Sequence, residues 1–266
     1  MNVLQFKDPR TATRGRTTLM AVELGKRVEA ATVSLAKIAQ DSPIDLGDVC
    51  VQVDIACDRS ASAAAQWPGV YQEAVERALA LAMTGLDDDE QIPITVFDHR
   101  IVGQDVLTPM NYAGWVERFH AKAGQLGATL YSPVLKLMLD QGEQRKGGFR
   151  GRKQQGTEAD EPPYFHLFFT DGAPHLQDAR KIERLLIDAR TRPHFFQFVL
   201  IGGDRQGRDY LEHLNSGLTG RGIDNVGLTI YDAMPPTDDA AFFNDTIREF
   251  FLEWLPLARK HGYTHR

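Results

Sequence analysis

Strand-length apolar runs at residues 51–57, 92–97, 164–169, 195–201 and 226–231 set what this chain can fold into. They are rich in β-branched and aromatic residues and are bounded by Gly, Pro, Asn or Asp, so they read as buried strands. Helix-length segments with one apolar face stand between most of them. The segment at 70–84, for instance, places Val70, Ala74, Val75, Ala78, Leu79, Ala82 and Met83 on one side. This alternation predicts an α/β fold, a doubly wound and mostly parallel sheet with helices on both faces.

A further run at 101–107, bounded by Gly103 and Pro109, suits an edge strand. Helices are expected at 110–123, 134–141, 178–189 and 240–259. The aromatic residues of the last, from Phe242 to Trp254, read as a core face. The first 18 residues are polar and basic, and residues 19–24 and 31–35 read as two short strands joined through Gly25 and Lys26. The expected organisation is therefore a partly flexible N-terminal β extension over 1–45 and a main domain over 46–266. A flexible surface insertion is expected at about 142–163, with a basic first half and an acidic end. The acidic stretch from Leu86 to Glu90 lacks the alternate spacing of a calcium loop and reads as a solvated turn.

The formal net charge is -6 and the sequence pI about 5.8, which argues against wrapping nucleic acid by global electrostatics. No apolar stretch reaches bilayer-spanning length, and the N-terminal residues lack the apolar core of a secretion signal. Cys50 and Cys57 lie an odd number of residues apart on one expected strand, so they face opposite ways, too far apart to bridge. Unbridged thiols fit a reducing compartment, and a cytoplasmic location is expected.

The chemistry concentrates where the strands end. The first strand runs into Asp58-Arg-Ser60-Ala-Ser62, and the fourth into Thr170-Asp171-Gly172. Thr129 stands in a Gly127-Ala-Thr loop before another helix. The plain reading makes Asp58 and Thr129 helix or turn caps and the serines loop residues. If the sheet is doubly wound, however, these loops share its carboxyl edge, where ligands bind in open α/β sheets. Asp58, Ser60, Ser62, Thr129 and Asp171 offer only oxygen, the donor set of a hard cation, and two converging carboxylates need a cation or a proton between them. His99 has no second histidine or cysteine at metal spacing, and the chain has no GxGxxG, GxxxxGK[ST] or GxSxG.

Together, Asp58-x-Ser60-x-Ser62, Thr129 and Thr170-Asp171-Gly172 resemble the metal-ion-dependent adhesion site of the von Willebrand factor A domain. The chain is more similar still to the bacterial tellurium-resistance subgroup of that family. Its look-alike features are Leu86-Asp87-Asp88-Asp89, Asn111-Tyr112, Thr129-x-Tyr131-x-Pro133, Phe196-x-Phe198-x-x-Ile201-Gly202, Asp224-Asn225 and Trp254. Ala61 and Ala128 depart from the subgroup, where glycines are usual. The resemblance implies a divalent ion, Mg²⁺ first and Mn²⁺ or Ca²⁺ next, held by Asp58, Ser60, Ser62, Thr129 and Asp171. Asp98, Gly127 and Gly172 would stand behind them. It also implies a non-catalytic module whose protein partner supplies an acidic side chain to the ion, in a complex answering tellurite or other chemical stress. The alternatives are a metal-dependent hydrolase of phosphate esters and a metal-free structural scaffold.

Overall fold

The computed structural model describes residues 17–264 apart from 48, 68, 88–90, 123–125, 147–161 and 233–237. In chain order the elements are α1 (Thr17–Asp41), β1 (Gln52–Asp58), α2 (Gly69–Leu81), β2 (Ile92–Phe97), β3 (Ile101–Leu107), α3 (Trp115–Lys122) and α4 (Ser132–Lys146). They continue with β4 (Tyr164–Thr170), α5 (Ala179–Asp188), β5 (His194–Ile201), α6 (Arg205–Glu212), β6 (Val226–Tyr231), α7 (Asp239–Glu249) and α8 (Leu255–Lys260). A π-helical turn, Phe250–Trp254, carries α7 into α8.

The strands form one sheet in the order β3-β2-β1-β4-β5-β6. All neighbours are parallel except β2 and β3, which make an antiparallel edge pair. Period-two alternation sends Phe165, Leu167 and Phe169 of β4 into one core and Phe168 into the other. The first core lies under α1, α2, α7 and α8, and the second under α4, α5 and α6. With both faces covered, the strands carry apolar residues at nearly every position, as the sequence runs suggested.

Residues 17–41 form a helix, not two short strands, and the loose start expected over residues 1–16 lies outside the described residues. Leu24, Ala31, Leu35 and Ile38 recur with helical spacing and are buried against the first core. Polar contacts seat α1 as well: Ser34 donates to the Ala240 carbonyl at 3.2 Å, and Arg27 pairs with Glu76 and Asp239. Asp239 also accepts from the buried Arg77 at 2.7 Å. Gly25, read as the turn between strands, sits inside the helix, where a glycine is tolerated at a cost of about 1 kcal/mol.

Three smaller expectations also change. The helix expected from residue 110 starts at Trp115, because Asn111 closes a turn on Thr108 and Val106 and Gly114 takes a left-handed conformation. α4 runs on to Lys146, into the expected 142–163 insertion, most of which lies outside the described residues. In the acidic stretch Asp87 is buried rather than solvated, and it accepts the Val53 amide at 3.0 Å. Cys50 and Cys57 are not joined in a disulfide.

If α1 is part of the main core, Ile38→Ala should destabilise the protein by about 2–5 kcal/mol. Val22→Ala, on the exposed side of the same helix, should stay within about 0.5 kcal/mol. Urea unfolding midpoints of the two variants check this.

Candidate functional site

β1 and β4 are direct neighbours, with Cys57 opposite Phe169. The chain leaves β1 for β2 and β3 on one side and returns to β4 on the other, so the crevice between them is the topological switch point. Asp58 is the last residue of β1 and is fully buried. Its Oδ1 accepts the Ser60 amide at 2.7 Å, which curls the loop back over the strand end. Its Oδ2 accepts the Thr170 hydroxyl at 2.7 Å, and its carbonyl accepts the Trp67 indole N–H at 3.0 Å.

The loop after β1 is pinned from two sides. The Arg59 amide donates to Phe97 of β2, and the Ala61 amide to the Gly127 carbonyl. Ser60 Oγ and Ser62 Oγ are 3.1 Å apart, and Ser62 donates to Asp171 Oδ1 at 3.1 Å. Asp58, Ser60, Ser62 and Asp171 are thus joined in one network, bridged at the Asp58 end by Thr170. Thr129 faces them across an open cleft of about 510 Å³ whose lining includes Ser62, Thr129, Asp171 and Gly172. The Thr129 carbonyl accepts the His175 amide at 2.8 Å, which ties this loop to the one after β4.

All five candidate ligands therefore stand at one sheet edge. Gly172 lines the cleft, and its carbonyl accepts the Tyr131 hydroxyl. Gly127 packs where a Cβ would lie 2.0 Å from His99 Nδ1 and 3.0 Å from Asp98 Oδ2. Asp98 is fully buried beneath this loop, where its carbonyl accepts the Leu130 amide and its carboxylate the Arg100 amide.

Sequence reasoning missed Thr170, Tyr131 and Trp67 as working parts of the site. Tyr131 shares a 2.9 Å hydrogen bond with Thr170, which in turn holds Asp58, so the two orient the buried carboxylate from behind.

Burial pushes the Asp58 carboxyl up to about 7, and the nearby charge of Asp171 adds to this. The Ser60 amide and Thr170 hydroxyl pull the other way but do not win. Asp171 is also raised, by burial and by Asp204, while its Ser62 hydrogen bond lowers it. Burial lowers the neighbouring Arg59 guanidinium, and the charge of Asp98 works against that. Two carboxylates and three hydroxyls, all oxygen, suit a hard divalent cation. Among the described residues no group of three or more His, Cys, Asp or Glu is placed to hold a metal, and this donor set takes most of its oxygens from hydroxyls.

Residues 50–264 match the vWA-TerF-like family, described as the vWA found in the TerF C terminus. The chain belongs to this family. The vWA-TerF-like match takes in the whole sheet and both strand-end loops, and it leaves α1 outside. No curated protein matches the chain. Among solved structures, it is similar to von Willebrand factor type A from Catenulispora acidiphila, at 14% identity and a TM-score of 0.45. That alignment covers 76% of this chain and 42% of the other. It is also similar to proximal thread matrix protein 1 of the mussel byssus, a structure with a zinc-occupied MIDAS motif, at 14% identity and a TM-score of 0.46. There 77% of this chain and 48% of the other are covered. The chain thus spans less than half the length of either structure.

The raised Asp58 pKa has a consequence for the metal-free vWA-TerF-like protein. The folded state holds this proton more tightly than the unfolded chain, whose value is 3.8. The associated stability is full below about pH 4 and is lost as the pH rises through about 7. Thermal unfolding in EDTA should show Asp58→Asn gaining on the wild type between about pH 5 and pH 8.

Proposed function

We propose that this chain is a metal-dependent protein-binding module. Asp58, Ser60, Ser62, Thr129 and Asp171 would hold a hard divalent cation, with Mg²⁺ as first choice and Mn²⁺ or Ca²⁺ as substitutes. A partner protein would complete the site with an acidic side chain. The observation that carries this reading is the Ser60–Ser62–Asp171 chain beside the buried Asp58, open on one side to the cleft. The bound cation would supply Lewis-acid attraction for a carboxylate.

The chain's own residues do the remaining work. Thr170, held by Tyr131, and the Ser60 amide fix the Asp58 carboxylate in one orientation. Such orientation of a ligating carboxylate from behind is what tunes a metal site. Asp171, less deeply buried and at the cleft wall, would set the side from which a partner approaches. The family's tie to TerF supports a tellurite or chemical stress complex as the setting, and a binding rather than a catalytic role.

Calorimetry with Mg²⁺ and Mn²⁺ tests this. The wild type should bind one ion saturably, and Asp58→Ala or Asp171→Ala should weaken binding by about 100-fold or more. An ion at about 100 times its Kd should stabilise the fold by about 2.7 kcal/mol, read as a rise in Tm that EDTA reverses. Partner capture that is equal in Mg²⁺ and in EDTA, with a wild type that binds no ion, would sink the proposal and favour a metal-free scaffold.

A further inference from the structure

We propose that the partner's contribution is an acidic segment of protein that also seats in a cationic groove between α4 and α5. This deepens, and rests on, the metal-dependent reading above. The groove has a volume of about 380 Å³ and is walled by Ser132, Pro133 and Lys136 from α4 and by Arg180, Lys181 and Arg184 from α5. Leu185 and Asp188 of α5 complete the lining. All four cations are exposed, and none forms an ion pair or hydrogen bond among the described residues.

Two features make this more than a scatter of surface lysines. The chain carries a net charge of -6, so four unpaired cations around one groove reverse its sign locally. Arg180 and Lys181 also occupy the first turn of α5, where the helix dipole disfavours cations, and neither α4 nor α5 has an acidic residue in its first turn. That placement costs helix stability and strengthens the positive field at the groove mouth.

Hydrogen bonds tie the groove wall to the loops of the candidate metal site. Asp178 accepts the Ser132 amide at 2.8 Å and the Ser132 hydroxyl, and its own amide donates to the His175 carbonyl. His175 in turn holds Thr129. In the proposed complex a carboxylate at the metal is followed, along the same segment, by positions facing Arg180, Lys181, Lys136 and Arg184. Leu176, 77% exposed on the rim of the cleft, offers the segment an apolar contact. The chemistry fits spaced carboxylates better than a single phosphate, because Asp178 already occupies the Ser132 amide at the α4 terminus.

Fluorescence anisotropy of the full chain with a labelled Glu-Gly repeat peptide, in Mg²⁺ and in EDTA, tests the proposal. Arg180→Glu combined with Arg184→Glu should weaken peptide binding by about tenfold or more and flatten its salt dependence. Calorimetric Mg²⁺ binding should be unchanged in that variant, and Lys37→Glu on α1 serves as the control for net charge. Equal peptide affinity in wild type and double variant overturns the groove while leaving the metal reading intact. Peptide binding that needs the arginines but ignores Mg²⁺ and Asp171→Ala supports the groove and removes the metal reading. A single-stranded oligonucleotide that binds the groove more tightly than the peptide overturns the acidic-protein assignment.

Discussion

The parallel pairing of β1 with β4 is the interaction on which the rest of this structure depends. Its register sets Asp54 opposite His166 and Cys57 opposite Phe169, and so brings the ends of both strands together. Asp58 and Thr170 become hydrogen-bonded neighbours, and Asp171 comes within reach of Ser62. Burial of apolar area on both faces holds the pair in place. Phe165 packs on Phe250 in the turn between α7 and α8, Phe169 joins the same core, and Phe168 packs on Tyr131 and Phe198 on the other side. A slip of one residue would exchange these sets and take Asp58 out of its place, so the hydrophobic pattern also fixes the site.

The two ends of these strands handle buried polarity in opposite ways. Near their amino ends Asp54, His166 and His194 form a closed chain, with contacts of 2.6 and 2.8 Å, between stacked Tyr164 and Phe196. All three side chains are buried, so this chain of contacts is shut in the core. At the carboxyl ends Asp58 is as deeply buried, burial and the charge of Asp171 raise its carboxyl, and the network opens on a cleft. Such a carboxyl stays comfortable only with a proton or a cation. Ionised Asp58 therefore costs the fold stability, increasingly as the pH rises toward about 7.

Much of this was legible in the residues. The strand runs predicted the sheet, and the placement of Asp58, Ser60, Ser62, Thr129 and Asp171 at strand ends predicted a shared edge. Other parts were not legible for identifiable reasons. Residues 19–35 suggested two strands because Gly25-Lys26 interrupts the apolar positions, and only α2 and α7 explain which of those positions are buried. Asp87 looked like one of several solvated acids, because nothing local reveals that the Val53 amide needs an acceptor there. Thr170 and Tyr131 are ordinary residues until tertiary packing brings them against Asp58.

By itself, then, the sequence determined the fold class and the inventory of oxygen donors, because strand period and end-of-strand chemistry are local properties of the chain. The tertiary structure decided the order β3-β2-β1-β4-β5-β6, the helical docking of α1 and the joining of four candidate ligands into one network. It also decided which carboxyl is buried and which cations are left unpaired beside α4 and α5. These depend on contacts between residues far apart in the chain. Burial, charge and hydrogen bonding act through space, and the sequence records only the order in which the residues arrive.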